Sequence, residues 1–195
     1  MLFTAIFGGT FNPFHMGHYE MLKALNESEK IGKILIMPDR IPPHKSANEL
    51  IDDADRIKMC EIVAADFSKA QVCDIEFKRE GKSYTYDTVN LLKELYPNEN
   101  FAFVCGGDML VYFDKWYKAD ELMKMLPFFV FSRTSTDNSE FNECINRFSK
   151  MGMQIILMDN EISNVSSTDF RKTPLKEFLP EKVYEYIKDR GLYGL

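Results

Sequence analysis

Residues 8–18 read Gly8-Gly9-Thr10-Phe11-Asn12-Pro13-Phe14-His15-Met16-Gly17-His18. They follow a short apolar run, residues 2–7. They open an amphipathic stretch, residues 17–29, in which Tyr19, Leu22 and Leu25 build one apolar face. A strand passing through two glycines into a helix reads as the first crossover of a parallel α/β sheet. Gly8 and Gly9 let a ligand lie close to the backbone, Thr10 adds a hydroxyl donor, and Pro13 stiffens the loop. His15 and His18 stand about one helical turn apart if the helix begins there, so both imidazoles can face the same ligand. The helix N-terminus offers N–H donors and a favourable dipole, which suits the polyphosphate of a nucleotide. The alternative reading of the same stretch is a glycine-rich loop with two capping histidines.

The chain contains 3 histidines. The third, His44, lies in Pro42-Pro43-His44-Lys45, so the histidines are confined to two loops and suggest one site. Away from these loops, apolar runs alternate with amphipathic stretches. Strands are predicted at 2–7, 33–37, 71–77, 101–105, 128–131 and 154–158. Helices are predicted at 17–29, 52–66, 85–96, 119–125, 140–151 and 180–190. In the second of these helices, Ile57, Cys60 and Ala64 share the predicted inner face. Apolar strands separated by helices imply an α/β fold: a doubly wound parallel sheet of Rossmann-like type, in a single domain over residues 1–195. Ligands of such sheets bind at the carboxyl ends of the strands, and each motif here follows a strand, so all can lie along one edge.

The formal net charge is −6, which argues against a large nucleic-acid surface. A local cluster of His and Lys can still focus a positive field on a small anion. No apolar run is long enough to cross a bilayer, and residues 1–7 lack the features of a signal peptide. Cys60, Cys73, Cys105 and Cys144 show neither metal-ligand nor redox spacing. They read as reduced, mostly buried thiols in a cytoplasmic protein. No His/Cys/Asp cluster suggests a structural metal. The oligomeric state is left open, a homo-oligomer included.

Two familiar phosphate motifs are missing. There is no Gly-Lys-Ser/Thr run of a P-loop, and the adjacent glycines do not make the dinucleotide fingerprint, which disfavours a nicotinamide-dependent oxidoreductase. Instead, residues 8–18 resemble the first signature of the nucleotidyltransferase superfamily, built on the motif HxGH. Val165-Ser166-Ser167-Thr168-Asp169-Phe170-Arg171 resembles the second, I-S-S-T-x-x-R. The chain also resembles the bacterial nicotinate-nucleotide adenylyltransferase family. The shared features are Pro42–Lys45, the run Tyr84-Thr85-Tyr86-Asp87-Thr88, Gly106 and Asp108 followed by Trp116, and the C-terminal pattern from Pro180 to Tyr193. The likeness spans nearly the whole chain, with Asn12 standing where Asp is commoner. If that position caps the turn, Asn serves as well; if its charge assists metal or water, activity is tuned.

The resemblance implies adenylyl transfer from ATP to nicotinate mononucleotide, with Mg²⁺ carried on the ATP phosphates. It assigns His15 and His18 to the reacting phosphates, with His18 the stronger choice for the transition state. Gly8, Gly9, Thr10, Phe11, Ser167, Thr168, Arg171, Gly106 and Asp108 would bind ATP. Asp108 could hold ribose hydroxyls or the water shell of the metal, or simply cap a helix. Thr85, Trp116, Tyr117, His44 and Lys45 would bind the mononucleotide. Trp116 would lie against the pyridinium ring and the Tyr117 backbone near its carboxylate. Arg171 could instead be a solvated cation and Trp116 a core filler. Two rivals remain at this level: pantetheine-phosphate adenylyltransferase, which shares both signatures, and a non-catalytic nucleotide-binding module.

Overall fold

The computed structural model describes residues 1–43, 47–132, 139–160 and 162–195. Its strands are β1 (Phe3–Gly9), β2 (Ile31–Pro38), β3 (Ala70–Val72), β4 (Phe101–Gly106), β5 (Phe128–Phe131) and β6 (Ile155–Met158). Its helices are α1 (Met16–Glu27), α2 (Asp53–Ala64), α3 (Thr85–Leu95), α4 (Gly107–Val111), α5 (Ala119–Met125), α6 (Ser139–Lys150), α7 (Ser167–Lys172) and α8 (Glu181–Asp189). The strands form one sheet in the order β3-β2-β1-β4-β5-β6, and every pairing is parallel. The chain winds outward from β1 to β3, returns beside β1 as β4, and winds outward the other way. The direction reverses between β1 and β4, and that crevice is where such sheets hold their ligands.

The two-residue period of a strand divides the core between two faces. Ala5, Phe7, Ile34, Ile36, Val104 and Phe129 pack against Leu22 and Leu25 of α1, Met59 and Val63 of α2, and Val183 and Ile187 of α8. Their neighbours Ile6, Leu35, Phe103, Phe128 and Val130 face the other way, onto Val89 and Leu92 of α3, Leu122 of α5 and Phe148 of α6. Both faces of the central strands are therefore buried, which is why those strands read as uninterrupted apolar runs.

Two expectations need correction. The stretch 71–77 is not one strand: β3 covers Ala70–Val72, and Ile75–Lys78 is a 3₁₀ turn. Among the described residues β3 is an edge strand paired only with β2. Beyond it the alternation does not mark two faces, because the turn buries Glu76 at 3 % exposure while Ile75 and Phe77 are only half-buried. In α2 the buried face is Asp55, Arg56, Met59, Cys60 and Val63, while Ile57 and Ala64 are half-buried. The helix is rotated because two charged residues, Asp55 and Arg56, occupy buried positions.

The four cysteines are free. Burial pushes the thiols of Cys60 and Cys105 far above the ordinary range, so both are inert. Among the described residues no helix is long and apolar enough to cross a membrane.

α2 is tied to α8 through Asp55, whose carboxylate accepts from Tyr186 Oη at 2.5 Å and Arg190 Nε at 3.1 Å. Burial raises its pKa, but the bonds from Tyr186 and Arg190 outweigh that and leave it below the usual aspartate value. A depressed folded-state pKa adds stability above the unfolded-state value and loses it as pH falls through the folded value. Acidification from about pH 5 to about pH 2 should therefore cost the wild type more stability than Asp55→Asn. Urea unfolding at several pH values measures this, and parallel curves for the two proteins would refute it.

Candidate active site

β1 delivers its last residues, Gly8 and Gly9, to the carboxyl edge of the sheet, beside β4 and β2. The turn that follows is held by aromatic packing. Phe11 (1 % exposed) and Phe14 stack with centroids 4.9 Å apart, and both meet Phe7. The side chain of Phe11 therefore belongs to the core, so Phe11 has its backbone to offer a ligand. The ring of His18 lies in this nest, 4.9 Å from Phe11 and 5.2 Å from Phe14.

The two histidines cap the helix for each other. His15 Nδ1 accepts from the backbone N–H of His18, and His18 Nδ1 accepts from the backbone N–H of His15, both at 3.3 Å. This is a capping box in which imidazoles replace the usual hydroxyl and carboxylate. The rings stack at 3.6 Å. A nitrogen that accepts cannot carry the proton, so in each neutral ring the proton sits on Nε2. The arrangement turns two nearby Nε2–H groups into donors of fixed orientation. Gly17 completes it: a Cβ there would lie 3.0 Å from the Ser163 carbonyl oxygen and 3.2 Å from the His15 ring.

The second signature reaches the same turn. Ser166 caps α7 in a capping box with Asp169. Ser167 Oγ donates to the Pro13 carbonyl at 2.8 Å. Arg171 Nη1 donates to the Asn12 carbonyl at 2.6 Å, and its Nη2 to Thr168 Oγ1 at 3.2 Å. A guanidinium carries more N–H donors than these two bonds use. Glu20 of α1 accepts from both the backbone N–H and the hydroxyl of Ser163, which fixes the approach to α7. Two segments thus converge that stand 154 positions apart at the Ser167–Pro13 bond.

A cavity opens next to the turn. Gly8, Gly9, Asp39, Thr85, Phe103 and Trp116 are among the residues that line it. Trp116 stands edge-on to Phe103 at 5.7 Å and lies 5.4 Å from Phe113; it is half-buried and lines the cavity. Tyr117 is exposed and packs 4.8 Å from Tyr84, outside the lining. Gly106 and the exposed Asp108 sit where β4 passes into α4. His44 and Lys45 lie outside the described residues.

Asn12 is 2 % exposed. Its Oδ1 accepts from Tyr193 Oη at 2.7 Å, and its Nδ2 donates to the Glu49 carbonyl at 3.1 Å. The residue is a structural hub joining the turn after β1, the C-terminal segment and the approach to α2. A carboxylate could still accept from Tyr193 but would face the Glu49 carbonyl with no proton to give. Asn12→Asp should cost about 1–3 kcal/mol in urea unfolding, the range for an unsatisfied buried polar group. An unchanged midpoint would contradict this.

Sequence reasoning missed Arg56, Tyr193 and Glu20. Arg56 is fully buried and donates to the carbonyls of Thr10 (3.1 Å), Asp39 and Arg40 (3.1 Å), and to the Asp53 carboxylate. Three of those partners are backbone oxygens, which leave no trace in a pattern of side chains.

The chain matches the cytidylyltransferase-like family over residues 6–173. It is 36% identical over 193 residues to the probable nicotinate-nucleotide adenylyltransferase of Lactococcus lactis subsp. lactis, covering 96% of this chain and 93% of that protein. It is 35% identical over 193 residues to the nicotinate-nucleotide adenylyltransferase of Bacillus subtilis, with 96% of each covered. Among solved structures, Plasmodium falciparum nicotinic acid mononucleotide adenylyltransferase complexed with NaAD superposes with a TM-score of 0.84 over 99% of this chain and 98% of that one, at 23% identity. At that identity the superposition speaks to the fold.

Proposed function

The chain belongs to the cytidylyltransferase-like family, among its nicotinate-nucleotide adenylyltransferases, and on that premise we propose that it transfers AMP from ATP to nicotinate mononucleotide. A 5′-phosphate oxygen of the mononucleotide attacks the α-phosphorus of ATP, the bond to the β-phosphate breaks, and pyrophosphate leaves with the bonding pair. The other product is nicotinic acid adenine dinucleotide. The observation that carries this reading is the meeting of the two signatures, with Ser167 on Pro13 at 2.8 Å and Arg171 on Asn12 at 2.6 Å, beside a cavity walled by Trp116 and Thr85.

The nucleophile is already ionised at neutral pH, so no general base is required. The barrier is the approach of two polyanions and the charge that develops on the α-phosphate and leaving group. Catalysis here is positioning plus electrostatics. The Nε2–H groups of His15 and His18 donate to the reacting phosphate, with His18 the transition-state donor. Gly8, Gly9, Thr10 and the Phe11 backbone cradle it. Ser167, Thr168 and Arg171 hold the β- and γ-phosphates, and Gly106 and Asp108 receive the nucleoside end. Thr85, Trp116 and the Tyr117 backbone take the pyridinium ring and its carboxylate, with His44 and Lys45 assigned to the mononucleotide phosphate.

Among the described residues no three His, Cys, Asp or Glu side chains gather as a metal cage. Asp108 and Asp39 are oxygen donors that fit the water shell of a hard cation. Mg²⁺ carried on ATP would neutralise phosphate charge. The four free cysteines fit a cytoplasmic setting.

The test is pyrophosphate release with ATP, Mg²⁺ and, in parallel, nicotinate mononucleotide, nicotinamide mononucleotide and 4′-phosphopantetheine. Turnover with nicotinate mononucleotide is expected. Turnover with 4′-phosphopantetheine alone would transfer the assignment to the pantetheine enzyme, and no turnover with any acceptor would leave a binding module. Trp116→Leu tests the ring site. The loss of a cation–π contact should raise KM for the mononucleotide about tenfold and leave KM for ATP nearly unchanged.

A further inference from the structure

We propose that Arg56 is a positioning residue for adenylyl transfer, locking the phosphate turn after β1 to the loop after β2 from beneath the site; the role rests on the activity proposed above. Arg56 is buried at 0 % exposure in the first half of α2. Its Nη1 bridges two carbonyls, Thr10 at 3.1 Å and Asp39, while Nη2 bonds the Arg40 carbonyl at 3.1 Å. Asp53, one turn earlier, supplies the counter-charge. A further bond closes the same junction: the Asp39 N–H donates to the Gly9 carbonyl at 2.9 Å. Gly9 and Asp39 both line the cavity. One planar fork therefore sets the spacing between the turn that cradles the reacting phosphate and the loop that walls the acceptor site.

Stability alone does not account for this residue. Burying a charge is costly even when it is paired, and an apolar side chain of similar volume is often at least as stabilising. Among the described residues, Arg56 Nε is the buried side-chain atom left without a hydrogen-bond partner. A guanidinium is suited to the task because its donors diverge in one rigid plane and can hold carbonyls from separate segments at fixed separation. A lysine ammonium is a point charge on a flexible stem and cannot. The reaction is sensitive to such spacing, since the attacking oxygen and the α-phosphorus must be brought into line.

The experiment compares wild type with Arg56→Lys, Arg56→Met and Arg190→Met. The last loosens α2 at its tie to α8, away from the cavity. Steady-state kinetics are run with ATP and nicotinate mononucleotide below the unfolding temperature of every variant, and exchange of the Asp39 amide is followed by hydrogen–deuterium exchange. Folded Arg56→Lys and Arg56→Met are expected to lose about 10- to 100-fold in kcat, the scale of a misplaced reacting group, with both KM values nearly unchanged. The Asp39 amide should exchange faster in both. Arg190→Met should keep its kcat and its Asp39 protection. Wild-type kcat in folded Arg56→Lys would overturn the proposal, as would an equal loss in Arg190→Met. Failure of both Arg56 variants to fold would also overturn it, since the residue would then be a determinant of the fold. If the wild type itself turns over no acceptor, the activity reading fails, and the Asp39 exchange still decides whether Arg56 locks the two loops.

Discussion

His18→Ala is expected to lower kcat by about tenfold to a thousandfold, the range for removing one donor from a developing oxyanion. The His18 ring is held on three sides, by Phe11, Phe14 and the stacked His15, so its Nε2–H is oriented before substrate arrives. A donor already in place needs no reorganisation when charge builds up, which is why its loss should fall on kcat more than on KM. The same ring also helps cap α1, so a control must separate capping from catalysis. His15→Asn supplies it. Asparagine is a strong N-cap and keeps an acceptor for the His18 N–H, but it has no Nε2–H. Its melting temperature should stay near that of the wild type while kcat falls. If His15→Asn and His18→Ala both retain wild-type turnover, the imidazoles are caps and nothing more.

Arg171→Ala should lower kcat/KM for ATP by about a hundredfold to a thousandfold, because on the proposed function it removes a charged donor to the polyphosphate together with a structural tie. The tie is the bond from Nη1 to the Asn12 carbonyl, which anchors α7 to the turn after β1. Arg171→Lys keeps the charge and loses the fork, so it should recover only part of the activity. Ser167→Ala removes the neighbouring bond to the Pro13 carbonyl but no charge. Its cost should be smaller, about three- to tenfold, in keeping with a single neutral hydrogen bond. Equal kinetics for Arg171→Ala and Ser167→Ala would assign Arg171 to loop anchoring alone. Isothermal titration with a non-hydrolysable ATP analogue gives the binding component directly.

How much was legible in advance depended on the range of the interaction concerned. The strands 101–105 and 128–131 were readable because both of their faces are buried, and a buried strand must be apolar at every position. The stretch 71–77 misled because alternation over a few residues looks the same whether it comes from a half-buried strand or from an edge strand running into a turn that buries Glu76. Phe11 could be placed in the phosphate turn by its position, but its side chain turns inward to Phe7 and Phe14. Its neighbours along the chain do not reveal that direction.

Taken alone, the order of residues determined the parallel α/β sheet and singled out the two distant segments, 8–18 and 165–171, that the fold brings together. Period two, period 3.6 and glycine-rich turns are local properties, and side-chain identity records them. Tertiary structure alone decided that His15 and His18 cap each other, that Tyr193 reaches Asn12 from the end of the chain, and that Arg56 is wholly buried behind the turn. Most of those bonds run to backbone oxygens and N–H groups, which nearly every residue possesses, so the sequence of the partner holds no mark of them.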